Sequence, residues 1–443
     1  MNMKTKIIIG SGLTGPLLAI FLSQRGYAVD LYEKRSDIRL NDMSPGRSIN
    51  LALSHRGIKA LKSANIFDQI KPQLIPMRGR MLHLLNGDIK FQPYSIFSNE
   101  YINSVSRSKL NKILLNKAEE SKKIKIHFNH SLSKVDEENN KLVFENGNSV
   151  NCTDHMFGAD GAGSTIRKYI DSKVDFPSLI KPLGHAYKEL QIPPSSNGEF
   201  QLDPNALHIW PRQGFMLIAL PNMDKSFTCT LFLNNKGEIS FEKLLDSDSI
   251  IKFFNKYFKC VIPLLDDYPQ LFLDNPKGKL ATIYAKEWQY NNKFCLMGDA
   301  AHAIVPFFGQ GMNASFEDCE VLMKCIDDNS GQLEQVFKKY NKIRKMDGHA
   351  IANMAIENYI EMRDLVTKKE FIRQKELSNI LWKKFPDRFI PRYNMVSFTS
   401  IPYSEVLKRG QIQKEIIKKI NLNSPDIQLA EKLIKENLVP ITC

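Results

Sequence analysis

The chain has no Cys-x-x-Cys pair, and its seven cysteines, at 152, 229, 260, 295, 319, 325 and 443, are scattered. That spacing excludes a paired-cysteine metal site and a disulfide framework, so a reducing, cytoplasmic setting is expected. No apolar run is long enough to anchor the chain in a bilayer. The nearest is the uncharged stretch Ile7 to Gln24, between Lys6 and Arg25. Gly10, Gly12, Gly15 and Pro16 break it into strand, turn and helix, and no small-residue cleavage site follows, which argues against a signal peptide. The closing residues, Glu436 to Cys443, hold no hydrophobic tail, so no stable membrane anchor is expected. Internal repeats and low-complexity segments are absent. So is any Ser-His-Asp or metal-ligand constellation, and no metal is expected.

What is present describes an ordinary globular protein. The 443 residues are 43% hydrophobic and 25% charged, enough for two or three domains. The net charge of +13 is uneven: residues 331 to 443 hold 21 Lys+Arg against 13 Asp+Glu, or +8 of the total. Acids interleave with these bases, as in Lys408 to Glu415, which is the pattern of a solvated helix face. No nucleic-acid-binding motif accompanies the charge, so no nucleic-acid partner is expected.

Three separated glycine-rich segments carry the chemistry. The first, Gly10-Ser-Gly-Leu-Thr-Gly15, follows the apolar run Ile7 to Ile9 and precedes a helical pattern, and Glu33 stands 18 residues after Gly15. In such a fingerprint Gly10 makes the turn, Gly12 admits a pyrophosphate against the backbone, Gly15 lets helix and strand pack closely, and Glu33 takes the ribose hydroxyls. The ligand is a dinucleotide, FAD or NAD(P). The second segment is Gly158-Ala-Asp-Gly-Ala-Gly163, with Asp160 at a strand end. The third runs from the strand-like Phe294 to Met297 through Gly298, Asp299, Gly309 and Gly311 into a helix from Met312 to Ile326. There Asp299 can accept bonds from a polyol such as a ribityl chain, and the helix start favours negative charge. Taken alone, this third segment reads equally as a cofactor cradle or as an ordinary strand-to-helix connection. Arg107, near the start of a helix read over Tyr101 to Glu120, suits a pyrophosphate. No second complete fingerprint marks a nicotinamide domain, so one large cofactor held by three segments fits FAD better than NAD.

Between these segments the texture changes. Ala186 to Ile192, Ala206 to Pro211, Phe215 to Leu220 and Phe227 to Leu233 read as strands of an antiparallel sheet, with Arg212-Gln-Gly as a hairpin turn. Met77 to Leu84 and Ile89 to Tyr94 join the same side, with Arg78 and Arg80 on one strand face. After residue 326 the pattern is helical, over Gln332 to Asp364, Lys369 to Lys384 and Glu405 to Ile420.

With these residues in view, the chain resembles the class A flavoprotein aromatic hydroxylases, and within them the kynurenine hydroxylases. The three glycine segments carry the first level. Gly46 to Leu53, Met77-Arg-Gly-Arg-Met81, Tyr187 to Leu190, Asn205 to Pro211, Glu357-Asn-Tyr359 and Arg388 to Tyr393 carry the second. The resemblance implies an α/β fold: a Rossmann-like, glutathione-reductase-type FAD domain (1–70, 101–178 and 280–330), an inserted antiparallel substrate domain (71–100 and 179–279) and a C-terminal helical region (331–443). It implies hydroxylation of L-kynurenine to 3-hydroxy-L-kynurenine with O2 and NADPH, through a flavin C4a-hydroperoxide, with no protein nucleophile. It also implies a substrate-carboxylate set of Arg80, Tyr94, Asn358 and Tyr393. Phe307 and Phe308, in the third segment, read equally as aromatic faces against a substrate ring or as core packing. FAD contacts are expected from Gly10, Gly12, Leu13, Gly15, Glu33, Arg107, Asp160, Asp299, Gly311, Met312 and Asn313. The residues themselves do not separate Arg80 from Arg78, and for Tyr94, Asn358 and Tyr393 taken alone packing or capping is the favoured reading. Two other readings stay open: a hydroxylase of another aromatic acid, and a flavin-binding redox sensor.

Overall fold

A computed structural model describes residues 5–40, 50–329 and 333–441. Gly46 to Ile49 of one family-like stretch lie outside the described residues, as does Cys443. The chain divides into two compact units, one of Met1–Ile75, Asn103–Leu183 and Leu280–Ala352, the other of Pro76–Ile102, Gly184–Lys279 and Asn353–Cys443.

The first unit is built on a six-stranded sheet in the order Gln289–Tyr290, Phe294–Leu296, Met156–Gly158, Lys6–Ile9, Val29–Tyr32, Ile124–His127. All neighbours are parallel except the Gln289–Tyr290 edge. A parallel sheet is covered on both faces, which is why its central strands carry continuous apolar runs such as Ile7 to Ile9 and Phe294 to Leu296. The helix Thr14–Gln24 follows the first strand; its Pro16 sits in the first turn, where a missing N–H costs nothing. Helix Gly311–Asp328 packs Phe316, Cys319, Leu322 and Met323 into the same core.

One expectation fails here. Ile102–Ser106 is a strand, paired antiparallel with Asn50–Leu53, and the helix spans Arg107–Glu119. Burial of four successive residues from Ile102 to Val105 suits a covered strand, and Ser106 accepts from the Lys109 N–H at 3.3 Å to cap the helix.

In the second unit the sheet order is the 184–192 part of strand Leu179–Ile192, then Phe227–Asn234, Met216–Pro221, Ala206–Pro211, Gly79–His83 and Ile89–Pro93. The expected antiparallel sheet is mixed, because Ala206–Pro211 and Gly79–His83 run parallel. Those two strands are far apart in sequence, so no hairpin forces them to oppose. The Arg212-Gln-Gly turn closes its hairpin through Arg212 N–H to Phe215 C=O at 3.0 Å, with positive φ at Gln213 (43°) and Gly214 (97°). Aromatic residues from Phe253, Phe254 and Phe258 fill the core against this sheet. The helices Lys369–Lys384, Tyr403–Lys418 and Ile427–Asn437 share a core of their own, including Leu381, Ile416 and Ile434. Among the described residues no helix is long and apolar enough to cross a membrane.

Candidate active site

Four adjacent strands of the first unit end side by side, and each delivers one sequence-predicted element at its carboxyl end. Val29–Tyr32 leads to Glu33, Lys6–Ile9 to Gly10, Met156–Gly158 to Asp160, and Phe294–Leu296 to Gly298 and Asp299. That edge is where open α/β sheets bind their ligands.

The glycines there have two jobs. A Cβ on Gly10 would lie 2.3 Å from the Ala159 carbonyl oxygen, and one on Gly15 would lie 1.9 Å from that of Gly10, so both permit close backbone packing. A Cβ on Gly12, Gly161 or Gly163 would meet nothing within 4 Å, which leaves a cradle of bare backbone. Beside it the buried atoms Ser11 Oγ and Asn111 Oδ1 have no partner, although Asn111 Nδ2 donates to the Ser11 carbonyl at 3.3 Å. Open backbone and partnerless polar atoms fit a dinucleotide such as FAD.

Glu33 is buried and accepts the Ser11 N–H at 2.7 Å and Arg35 Nε at 2.7 Å. Burial works against its charge, but Arg35 outweighs it and its pKa is lowered, so an ionised carboxylate faces the turn. Leu13 immediately precedes helix Thr14–Gln24. Asp160 caps the next helix through Thr165 N–H at 2.7 Å; burial raises its pKa. Arg107 opens its helix with an exposed side chain.

In the third segment Gly298 has φ of 58°, and Asp299 begins a short helical turn to His302. Phe308 is buried in the 3-10 turn Pro306–Phe308. Gly311 and Met312 start the helix, where first-turn N–H groups are free of intrahelical partners. The Asn313 side chain is committed within the protein: Oδ1 accepts from Ser54 N–H at 2.9 Å, and Nδ2 donates to Ala52 O at 2.8 Å and Gly309 O at 2.7 Å. With the amide so committed, its backbone N–H is what it can offer a cofactor.

Sequence reasoning reads His302 as a support of this loop but missed Asp318 and Arg344, which complete that support. Asp318 Oδ2 accepts from Gly298 N–H at 2.9 Å and pairs with His302 Nε2 at 2.6 Å, while its Oδ1 takes Arg344 Nε at 2.8 Å. Arg344 also reaches Glu317 at 2.8 Å and Asp347 at 3.3 Å, and Glu317 pairs with Arg56. Burial would raise the Asp318 pKa, but His302 and Arg344 overcome it and hold the carboxyl below its usual range. Trp288 stacks on His302 at 5.0 Å.

The second unit brings Arg80, Tyr94 and Tyr393 together. Arg80 lies opposite Leu207 on one side and Gln92 on the other. Gly79 is required beside it, since a Cβ there would come within 2.4 Å of the Gln92 carbonyl oxygen. Helix Arg392–Phe398 is pinned to the hairpin by Asn394 Nδ2 donating to Tyr94 O at 3.1 Å, which sets Tyr393 against Tyr94 with ring centroids 5.1 Å apart at 10°. The Arg80 guanidinium carbon sits 5.8 Å from the Tyr94 centroid and 5.1 Å from that of Tyr393. Arg80 makes one ion pair, Nη1 to Glu361 Oε1 at 3.2 Å, and its buried Nε has no partner. The Tyr94 hydroxyl is also buried without a partner at hydrogen-bonding geometry. Burial penalises the Arg80 charge, yet Glu361 and the two tyrosines leave its pKa raised. Arg78 is different: it is exposed, bonds the Ser98 carbonyl at 2.9 Å and covers Tyr101. The two arginines therefore do not share an environment. Asn358 is buried one helical turn before Glu361, with Nδ2 on Met362 Sδ at 3.3 Å. Glu361 opens a π-helical turn, Glu361–Leu365, a feature common at functional sites. No local sequence signal pointed to it.

Comparison with known proteins agrees with this geometry. The FAD binding domain family matches residues 4–353. A kynurenine 3-monooxygenase of Myxococcus xanthus (strain DK1622) is 40% identical over 445 residues, covering 98% of this chain and 96% of that protein. One from Sus scrofa is 45% identical over 415 residues, covering 93% and 87%. Among solved structures, the tetrameric form of 2-methyl-3-hydroxypyridine-5-carboxylic acid oxygenase matches with a TM-score of 0.67 at 19% identity over 84% of this chain and 96% of that one. Tetracycline destructase Tet(51) matches with 0.62 at 17% over 90% and 99%. These two likenesses bear out the fold class. Glycine cradle, fold and relatives converge: the chain belongs to the FAD binding domain family and, within it, to the kynurenine 3-monooxygenase family of FAD-dependent aromatic monooxygenases.

Proposed function

We propose that the chain hydroxylates L-kynurenine at its 3-position, using NADPH and O2. The reading rests on the names of relatives that are 40–45% identical over nearly the whole chain. The observation within the molecule that carries it is Arg80, a buried guanidinium with one ion pair and one partnerless N–H. Such an atom costs about 1 to 3 kcal/mol unless a ligand satisfies it. A planar guanidinium suits a carboxylate in a two-pronged fit, and the Tyr94 hydroxyl can add a further donor. Tyr393 and Asn358 complete the proposed carboxylate set.

FAD, when bound, supplies hydride acceptance and oxygen activation. The chain's task is to hold the cofactor by Gly10, Gly12, Gly15, Glu33, Asp160 and Asp299, and to fix the substrate by its carboxylate end. The substrate's own aromatic amine makes its ortho carbon electron-rich, so no protein nucleophile is needed and orientation is what the protein contributes.

A panel of aromatic acids scored by NADPH loss and product mass tests this. L-Kynurenine should stimulate NADPH consumption and gain one oxygen. Stimulation by a different aromatic acid alone, or flavin binding without substrate-stimulated turnover, would contradict it.

A further inference from the structure

Helix Lys369–Lys384 is anchored beside the Arg80 hairpin at two points. Gln92, the cross-strand neighbour of Arg80, donates to Val366 O at 3.2 Å just before the helix begins, and Phe97 packs edge-on to Trp382 at 5.1 Å near its end. Lys375 lies between these anchors, half-buried, on the side of the helix that also carries the buried Trp382. It has no ion pair or hydrogen bond among the described residues, and Arg80 and Glu361 are the charges that act on it. The cluster therefore brings two cations, Arg80 and Lys375, to the carboxylate of Glu361, with the buried Arg80 Nε lacking an acceptor among the described residues.

We propose that Lys375 is the second cation of the carboxylate site, so that Glu361 balances one positive charge and the substrate carboxylate balances the other. This rests on the carboxylate-site reading above and adds a residue that decides how strongly an anionic ligand is held. It also couples binding to protons. Burial first, and then the Arg80 charge, push the Lys375 ammonium down to about 8, with Glu361 opposing. An arriving carboxylate reverses the Arg80 contribution and restores the proton. The other groups facing Lys375 do not titrate in that window: burial pushes Tyr94 and Tyr393 up, and Arg80 is also raised. On its own helix Arg373 and Glu376 are exposed, Arg373 bonding Asn423.

The test uses the FAD-loaded full chain, calorimetry and flavin absorbance, with 3-benzoylpropionate as probe, an aromatic keto acid that lacks both kynurenine amines. Its affinity should hold from pH 6.5 to 7.5 and weaken about tenfold per pH unit above roughly 8, with proton uptake at pH 8.5 seen as a buffer-dependent heat. Lys375→Met should bind about tenfold or more weakly at pH 7, with no slope and no proton uptake. Lys375→Arg should keep the affinity at pH 7 and lose the slope, because Arg stays charged. Parent-like affinity and slope in Lys375→Met would overturn the proposal, as would Lys375→Arg as weak as Lys375→Met. If the parent binds 3-benzoylpropionate with this signature but not L-kynurenine, the proposed substrate fails while the second cation stands. A parent that binds neither acid overturns both.

Discussion

Two buried ionic clusters in this chain look alike in composition and differ in completeness. In the first unit Arg344, Arg56, Glu317, Asp318, Asp347 and His302 form a network in which Asp318 alone accepts three donors. In the second, among the described residues, Arg80 has one ion pair, at 3.2 Å, and a bare Nε, and Lys375 has no ion pair or hydrogen bond. A network whose carboxylates are satisfied stiffens what it holds, here the turn at Gly298, even though the buried Nδ1 of His302 at its margin lacks a partner among the described residues. An unsatisfied one is a standing cost that a ligand can remove. Completeness, more than charge or burial, separates the cluster under the Gly298 turn from the one we propose for the substrate carboxylate.

The contrast can be broken first at the closed cluster. Arg344→Met leaves Glu317, Asp318 and Asp347 underpaired and should cost about 3 to 5 kcal/mol in denaturant unfolding, with FAD retention falling alongside. A change within about 0.5 kcal/mol would mean that the network is not structural.

The glycines extend the same distinction to backbone. Gly15→Ala should destabilise the apoprotein by about 1 to 3 kcal/mol, because its Cβ meets a carbonyl at 1.9 Å. Gly12→Ala, with nothing within 4 Å, should leave apoprotein stability within about 0.5 kcal/mol while weakening FAD retention. Equal losses of stability would erase the difference between packing and cradle glycines.

A third buried pair, His83 and His208, tests completeness by pH. His83 Nε2 lies 2.9 Å from His208 Nδ1, and burial, then the neighbouring His208 and Arg212, lower His83 to about 4. Because the folded pKa lies below the ordinary value of about 6.5, the stability is complete above that pH and is lost as pH falls toward 4. Unfolding at pH 7.5 and pH 5 should differ by about 2 kcal/mol from this group, and His83→Gln should flatten the difference.

The smallest effect is at Tyr94, whose hydroxyl lies beside Tyr393 and Arg80 with no partner at hydrogen-bonding geometry among the described residues. Tyr94→Phe should leave stability within about 0.5 kcal/mol and weaken substrate binding by about 1 kcal/mol, roughly fivefold. Lost stability instead would show the hydroxyl to be part of the fold.

Much of the fold was legible because its signals are local. Ile7 to Ile9 followed by Gly10 announces a covered strand and its turn, and Arg212-Gln-Gly announces a hairpin through Gly214, which takes up positive φ without strain. Ile102 to Ser106 was misread as helix because its strand identity comes from pairing with Asn50–Leu53, about fifty residues away. The closed network joins residues from Arg56 to Asp347, and Glu361 reaches Arg80 across 281 positions. No spacing rule spans such separations. Arg78 and Arg80, indistinguishable by pattern, differ because Arg78 stands exposed before strand Gly79–His83 while Arg80 lies buried within it.

The most direct test is a titration of FAD-loaded parent and Arg80→Ala with L-kynurenine, followed by flavin absorbance, beside an unfolding curve for each. Truncating one member of a buried charged pair costs about 2 to 5 kcal/mol in binding, so Arg80→Ala should bind at least roughly thirty-fold more weakly, with FAD content unchanged and Arg78→Ala like the parent. Parent-like binding by Arg80→Ala, with the loss appearing in Arg78→Ala or in FAD content instead, would contradict the claim that the open cluster is the substrate's anchor.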